Sequence, residues 1–226
     1  MTGIHDALQR NRYPGRLLLL ARTLDEALVA GYALTGRSTA SRERRLERTG
    51  AGELAVLPTS AQQHDALRHY IAATSSDRWT VYGNGEQVSE VARRLDGGLA
   101  PAAALMDLSY EPDPPIFTPR ITAVIDRREG RAWLGSAYRP AALREQADVA
   151  VVGAGTLARG DVLLLSTYDS DGHDVKTTAR HIDLTTKAAD ARTLLDELWT
   201  ALNPRYAIAA TVFNPLHGTN GPIRHT

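Results

Sequence analysis

The apolar segments of this chain come in neighbouring pairs joined by short turns, and this pairing limits the folds that the chain can adopt. Residues 16–22 and 27–34 are separated only by Thr23-Leu24-Asp25-Glu26. Residues 121–126 and 132–138 are likewise separated by a short, charged segment. Parallel neighbours need a crossover connection of about a dozen residues or more, so each pair is predicted to form an antiparallel hairpin.

Other segments have helical character. Apolar residues recur with helical spacing in residues 87–95 and 188–202, and residues 101–108 begin with a proline at a tolerated first-turn position. A further helix is predicted from Ser60, as its N-cap, through His64 and Leu67 to Tyr70. The remaining strands are predicted at residues 53–57, 79–82, 149–152, 162–167 and 206–213. Strands in hairpins and helices in clusters predict an α+β fold with antiparallel or mixed sheet and helices outside it.

Length and composition exclude several classes of protein. The 226 residues suffice for one domain, predicted over residues 1–217 and followed by a loose polar tail at residues 218–226. The chain has no cysteine, which excludes disulfides and thiolate chemistry. Basic and acidic residues number 26 each, which argues against a nucleic-acid partner. The polar N-terminus has no signal-peptide segment and the apolar run at residues 17–21 is too short to span a bilayer, so we expect a cytoplasmic protein without a membrane partner.

Two segments imitate ligand-binding motifs but are better explained as turns. Residues 148–158 pair a strand with G-x-G-x-x-A, but a new strand begins at Val162 and leaves no room for the helix of a dinucleotide site. Residues 169–174 resemble the start of a calcium loop, but Arg180 stands where that loop needs a bidentate glutamate. The histidines lack zinc-ligand spacing, so we predict no metal site.

Several short motifs, taken in order along the chain, resemble one enzyme family. They are Tyr13-Pro14-Gly15-Arg16, Gly36-Arg37-Ser38-Thr39-Ala40-Ser41-Arg42-Glu43-Arg44, Asn84-Gly85, Tyr110-Glu111-Pro112-Asp113, Phe117-Thr118-Pro119-Arg120-Ile121, Thr167-Tyr168 and Asp171-Gly172. Their order and spacing cover most of the chain and are similar to the archaeal-type IMP cyclohydrolases and their bacterial relatives. The most specific block is the one that runs from Glu111 to Ile121.

The resemblance implies a fold and a reaction. The fold is a four-layered α-β-β-α sandwich resembling that of N-terminal nucleophile hydrolases, without a processed N-terminal nucleophile. The reaction closes 5-formamidoimidazole-4-carboxamide ribonucleotide to IMP with loss of water. Because both reacting groups lie on one molecule, the protein has to align them, stabilise the oxyanion and move protons. The resemblance implies no metal and no organic cofactor; the partner is a small-molecule ribonucleotide, and formation of a homo-oligomer stays open.

The resemblance also implies residue roles. Glu111, in a proline-rich loop, is expected to be the main proton-transfer residue; the alternatives are a structural ion pair with Arg120 and a role for Asp113 as the rival carboxylate. Because arginine suits phosphate recognition, Arg37 and Arg42, helped by Ser38 and Arg16, are expected to hold the phosphate of the ribonucleotide. The expected substrate-binding residues are Arg16, Arg37, Ser38, Arg42, Asn84, Gly85, Thr118 and Arg120.

Two features leave alternatives open. Residues 41–48 also fit a solvated helix face, on which Arg44, Arg45 and Arg48 are exposed. The family carries a tyrosine four residues before an arginine, where this chain has Thr74, and Tyr70 is the nearest phenol that could replace it. Tyr70 either takes that catalytic role or packs in the core. The chain is accordingly a cyclohydrolase, a relative acting on another imidazole or purine-like nucleotide, or a nucleotide binder without turnover.

Overall fold

The structure, a computed structural model, describes residues 2–60, 65, 67–141 and 143–226. Its helices are α1 (Ile4–Arg10), α2 (Thr39–Arg42), α3 (Gln87–Asp96), α4 (Pro101–Leu105) and α5 (Ala191–Ala201). Its strands are β1 (Arg16–Arg22), β2 (Leu28–Thr35), β3 (Arg44–Arg48), β4 (Leu54–Pro58), β5 (Tyr70–Ser75), β6 (Trp79–Gly83), β7 (Arg120–Asp126), β8 (Ala132–Tyr138), β9 (Asp148–Ala154), β10 (Asp161–Ser166), β11 (Tyr168–Asp169), β12 (Lys176–Thr177), β13 (Ile182–Thr185), β14 (Ala207–Phe213) and β15 (Ile223–His225). Among these helices, none is long and apolar enough to cross a membrane.

Two large antiparallel sheets carry the fold, which confirms the predicted α+β class. One sheet has six strands in the order β13-β10-β1-β2-β14-β15, and the other has seven strands, β3 to β9, in chain order. The two predicted hairpins are present as β1–β2 and β7–β8, in the expected antiparallel register. The segments that imitate ligand motifs are turns: β10 follows β9 without an intervening helix, and β11 and β12 form a small hairpin.

The four consecutive leucines of β1 explain how the layers pack. Side chains alternate between the two faces of a strand, so Leu18 and Leu20 point to one side and Leu17 and Leu19 to the other. Leu18 and Leu20 join an apolar cluster with Tyr82 and other residues of the seven-stranded sheet. Leu17 and Leu19 join a second cluster with α1 and α5. Both faces of β1 are therefore covered, which is why this strand is a continuous apolar run rather than an alternating one.

The seven-stranded sheet is covered in the same way. Its inner face contributes to the cluster between the sheets. Its other face packs against α3 and α4 through Val88, Val91 and Leu105. Helix α3 matches its predicted extent closely, whereas α4 ends at Leu105, earlier than predicted.

The charged run does not form a solvated helix face, and that interpretation is wrong for most of its length. Only residues up to Arg42 are helical, and Arg44–Arg48 is strand β3, paired with β4. The period-two alternation buries Arg44 and Leu46, and Arg44 is only 4 % exposed. The predicted solvation of Arg44 is therefore wrong, because an edge strand turns every second side chain inward.

Two other predictions are also corrected. Tyr70 begins strand β5, so the helix predicted from Ser60 does not extend to it; residues 61–64 and 66 of that helix lie outside the described residues. The polar C-terminal residues are not a loose tail, because Ile223–His225 pairs with β14 at the edge of the six-stranded sheet. Polarity there reflects an edge position rather than absence of structure.

Candidate active site

A cavity of about 310 Å³ collects several of the predicted site residues. Its wall includes Arg16 from β1, Arg37 and Ser38 from the loop after β2, and Glu111 from the proline-rich loop. Cavities of about 760, 450 and 330 Å³ lie elsewhere. Their described linings contain none of the predicted site residues and no buried charged side chain, so the smaller cavity is the candidate active site.

Two glycines allow the chain to form this wall. Gly15 has a φ of +71°, and a Cβ there would lie 2.3 Å from Thr167 Oγ1 and 2.5 Å from the ring of Tyr168. Gly36 leads into the loop of Arg37, and a Cβ there would lie 2.7 Å from the carbonyl oxygen of Ser41. Any larger residue would push these segments apart, which explains why the Tyr13-to-Arg16 motif and the residue 36–44 motif both contain glycine.

Glu111 is held from two sides in the interior. It is 3 % exposed, and its Oε1 forms an ion pair with Nη2 of Arg16 and accepts a hydrogen bond from Asn84 Nδ2 at 3.0 Å. Its backbone N–H donates to the carbonyl oxygen of Thr118 at 2.8 Å. The expected alternative partner, Arg120, instead pairs with Glu86 at 2.8 Å. Glu111 is therefore held at the cavity wall by Arg16, and not by Arg120 as the alternative from the sequence proposed.

Burial and charge act on this pair in opposite directions. Burial raises the pKa of the Glu111 carboxyl above its usual value, although the adjacent Arg16 guanidinium opposes this shift. Burial would lower the pKa of Arg16, but the charge of Glu111 and its hydrogen bond, together with the electrostatic interactions of Tyr70 and Tyr168, hold that pKa well above the ordinary value. The result is a permanent cation beside a carboxyl group that accepts a proton more readily than an exposed glutamate does.

Tyrosines surround the two buried arginines. The hydroxyls of Tyr32 and Tyr70 lie 2.8 Å apart, and both side chains are buried. Arg16 and Arg44 both interact electrostatically with Tyr70. Arg44 donates to the carbonyl oxygens of Ser41 and Thr35 at 2.7 and 3.2 Å, and burial lowers its pKa. Tyr70 thus belongs to the buried cluster behind the cavity.

Thr74, which occupies the position expected for the family tyrosine, lies apart from this cluster. Its hydroxyl donates to Glu53 at 3.2 Å on the outer part of β5. It is not part of the cavity lining in the described chain. Of the two positions considered, Tyr70 is the one that the structure brings to the buried arginines.

The predicted phosphate-binding residues divide into two groups. Arg37 and Ser38 line the cavity; Arg37 donates to the carbonyl oxygen of His173 at 2.9 Å and lies over the ring of Tyr13. Arg42 turns away from the cavity and donates to the carbonyl oxygen of Arg205. Ser38 caps α2, with Ser41 N donating to its hydroxyl at 3.2 Å. The structure therefore brings Arg37 and Ser38, but not Arg42, to Arg16.

The other four predicted substrate-binding residues lie behind the cavity wall rather than on it. Asn84 bridges Glu111, the carbonyl oxygen of Pro119 at 2.9 Å and the backbone N–H of Ile121 at 2.7 Å. Thr118 is fully buried and bonds to Asp113 and Tyr168. Gly85 packs against Gln87. Arg120 pairs with Glu86, as described above. Of these four residues, Asn84 and Thr118 hold the Glu111 loop in place.

Comparison with known proteins identifies the family. Residues 13–215 match the family model for IMP cyclohydrolase-like proteins, which covers most of the chain. The chain belongs to this family. The matched region contains every residue of the candidate active site, from Tyr13 to Tyr168.

Three archaeal relatives carry the name IMP cyclohydrolase. That of Methanopyrus kandleri is 31 % identical over 127 residues, 54 % of this chain and 62 % of the relative. That of Natronomonas pharaonis is 32 % identical over 140 residues, 59 % of this chain and 67 % of the relative. That of Haloquadratum walsbyi is 27 % identical over 165 residues, 70 % of this chain and 72 % of the relative. The aligned part of the chain thus spans about three fifths of the Methanopyrus protein and about two thirds to seven tenths of the others.

Several residues of this site were not predicted from the sequence, among them Tyr13, Tyr168 and Arg44. Tyr13 and Tyr168 both line the cavity, with their rings stacked at 5.6 Å between centroids, and both lie in motifs that carry the family resemblance. Arg44 also lines the cavity. The burial of Arg44 follows the period-two pattern of β3, but the sequence does not distinguish it from the neighbouring Arg45, because both are arginines.

Proposed function

We propose that this protein is an IMP cyclohydrolase of purine nucleotide biosynthesis. It closes 5-formamidoimidazole-4-carboxamide ribonucleotide to IMP and releases water. This is the reaction of a cyclohydrolase in the ring-closing direction. Family membership and the three archaeal relatives support this proposal. The observation that carries it is Glu111, a buried carboxyl group on the wall of an arginine-lined cavity, held by Arg16 and Asn84.

The geometry suits a reaction in which one carboxyl group moves protons. Glu111 takes a proton from the carboxamide nitrogen as that nitrogen attacks the formyl carbon and the new carbon–nitrogen bond forms. It then returns that proton to the formyl oxygen, which becomes a hydroxyl group. The formamido N–H gives up the second proton that this hydroxyl needs to depart as water, and the carbon–nitrogen double bond of the new ring forms as the water leaves. A pKa raised by burial suits both steps, because the group has to release a proton as readily as it accepts one.

The cations of the cavity suit the charges of such a substrate. Arg16, Arg37, Arg44 and Arg68 all line it. The Nε atom of Arg16 is buried and has no hydrogen-bond partner among the described residues, so it is a donor available to a phosphate or an oxyanion. Arg37 and Ser38, at the start of α2, are the proposed contacts for the 5′-phosphate.

Further parts of the proposal concern architecture and partners. We infer a four-layered α-β-β-α sandwich resembling that of N-terminal nucleophile hydrolases, supported by the apolar clusters between the sheets and beneath each helical layer. A reaction of this kind needs no metal or organic cofactor. The ribonucleotide is the proposed partner. The expected cytoplasmic location and homo-oligomer formation stay predictions.

The test is direct. The purified protein is mixed with the formamido substrate, and formation of IMP is followed by its ultraviolet band, with IMP binding measured in parallel by calorimetry. A rate well above the spontaneous one supports the proposal. IMP binding without such a rate would make the protein a nucleotide binder. A rate only with another imidazole nucleotide would make it a diverged relative.

A further inference from the structure

Three side chains on one side of the cavity form a continuous hydrogen-bonded chain. Asp113 Oδ2 accepts from Thr118 Oγ1 at 2.6 Å, and Thr118 Oγ1 lies 2.6 Å from the hydroxyl of Tyr168. Asp113 Oδ1 also accepts from the backbone N–H of Thr118 at 2.7 Å. Thr118 is fully buried, and Tyr168 is 5 % exposed. Asp113 and Tyr168 both belong to the cavity wall.

The number of hydroxyl hydrogens fixes the direction of the hydrogen bonds that link Asp113, Thr118 and Tyr168. A carboxylate can only accept, so the single hydroxyl hydrogen of Thr118 goes to Asp113. Thr118 Oγ1 must therefore accept from Tyr168, and the only hydroxyl hydrogen of Tyr168 is directed at Thr118. The Tyr168 oxygen can then make a further hydrogen bond only as an acceptor.

Thr118 also couples this acceptor to the proposed proton-transfer residue. Its carbonyl oxygen accepts from the backbone N–H of Glu111 at 2.8 Å, while its side chain orients Tyr168. Tyr168 interacts electrostatically with both Glu111 and Arg16. Burial raises the pKa of Tyr168, so the phenol stays neutral and its oxygen is a neutral acceptor at neutral pH.

We propose that Asp113 and Thr118 are positioning residues that hold the Tyr168 hydroxyl as an acceptor for an N–H group of the ligand. The inference rests on the proposed function, and it identifies the residues that select the group on the imidazole ring of the substrate. In a carboxamide, one N–H hydrogen is available to Glu111 and the other to Tyr168. A carboxylate in the same place offers no hydrogen and brings a second acceptor against the Tyr168 oxygen. The site therefore selects a carboxamide over a carboxylate on the imidazole ring.

The test compares the affinities of two probes that differ only in this group. They are the 5-amino-imidazole ribonucleotides carrying a 4-carboxamide or a 4-carboxylate, titrated into the full-length protein by calorimetry. We expect the wild-type protein to favour the carboxamide by about tenfold or more. In Thr118→Val the Tyr168 hydroxyl is free to rotate and donate, so this ratio should fall towards one. Thr118→Ser restores the hydroxyl and should restore the ratio.

A second substitution and a matched control separate this effect from loss of structure. Tyr168→Phe removes the acceptor while keeping the ring, and it should also bring the ratio towards one. Thr80→Val removes an equally buried threonine hydroxyl, which donates to the carbonyl oxygen of Pro215 at 2.7 Å in a different part of the fold. That variant should keep the wild-type ratio. Melting curves of all four variants show whether each is folded during the titration.

The outcomes distinguish this inference from the proposed function. If the wild-type protein turns over the substrate but Thr118→Val and Tyr168→Phe keep its preference, the positioning role is overturned alone. If the protein has no turnover but binds the carboxamide selectively, and Thr118→Val and Tyr168→Phe lose that preference, the proposed reaction is overturned and the positioning role stands. If it binds neither probe, both are overturned.

Discussion

Glu111 is the residue whose surroundings most clearly determine its chemistry. Burial raises its pKa, and Arg16 limits that rise. If its ionised form starts the reaction, turnover should rise with pH on the acid side, with a midpoint above the ordinary glutamate value of about 4.3. Glu111→Gln should lower turnover by roughly 10²–10⁴-fold and remove this acid limb. The measurement is a pH profile of kcat, corrected for the folded fraction.

Stability alone cannot separate a catalytic from a structural role for Glu111. Its loss leaves Arg16 buried without its partner, which costs roughly 3 kcal/mol or more in either case. The pH dependence does distinguish the carboxyl group. Because its folded pKa is raised, its contribution to stability is complete below about pH 4.3 and is lost as the pH rises through the folded pKa. Glu111→Gln should lack that decline; full turnover in a folded Glu111→Gln protein would end the catalytic assignment.

Arg37 and Arg42 are both exposed arginines, but their side chains point to different parts of the protein. Arg37 lines the cavity, whereas Arg42 is directed at the backbone of Arg205. Arg37→Ala should weaken IMP binding by about 2 kcal/mol, because a charge-assisted contact to the phosphate is lost. Arg42→Ala removes the same charge five residues further along the chain, at the end of α2, and should leave the affinity close to the wild-type value. Equal losses in calorimetric titrations of the two variants would mean that only overall charge matters.

At the scale of elements, the sequence predicts the hairpins and the long helices well because their signals are local. The paired apolar runs at β1–β2 and β7–β8 fix their own partners through short turns. The edge strands β3 and β15 and the interior strand β5 were not predicted, because tertiary contacts decide their conformation. Arg44 is buried only because β4 and the Ser41 carbonyl oxygen lie beside it, and nothing in the charged run alone reveals this.

The incorrect helix prediction matters most at Tyr70, because this residue is a candidate for catalysis. As the first residue of β5 it meets Tyr32 and the buried arginines, a contact that a helix would not have predicted. Tyr70→Phe should lower turnover at least tenfold while leaving IMP binding intact, if its hydroxyl takes part in proton transfer. Tyr32→Phe breaks the same hydrogen bond from the other side and serves as the control. Equal, small effects of the two variants on kcat would assign Tyr70 to packing.

At the scale of the whole molecule, the site is assembled from both sheets. Arg16 belongs to the six-stranded sheet and Arg44 to the seven-stranded sheet, while Glu111 lies in the loop that leads into β7. Residues about 95 positions apart in sequence therefore meet in one ion pair. Motif matching could name Arg16 and Glu111 singly, but only the packing of two sheets brings them together, which is why the pairing was not predictable from the sequence.

The C-terminal strand ties these layers together, although the family match ends at residue 215. Strand β15 extends the six-stranded sheet, Arg224 forms an ion pair with Asp196 of α5, and His225 contacts the carbonyl oxygen of Leu46 in β3 at 3.0 Å. A chain that ends at Gly221 should therefore lose roughly 2 kcal/mol of stability, or about 4–8 °C in Tm. Arg224→Ala removes only an exposed ion pair and should cost less than about 1 kcal/mol. An unchanged Tm for the shortened chain in thermal melts would mean that these residues behave as the loose tail that their polarity first indicated.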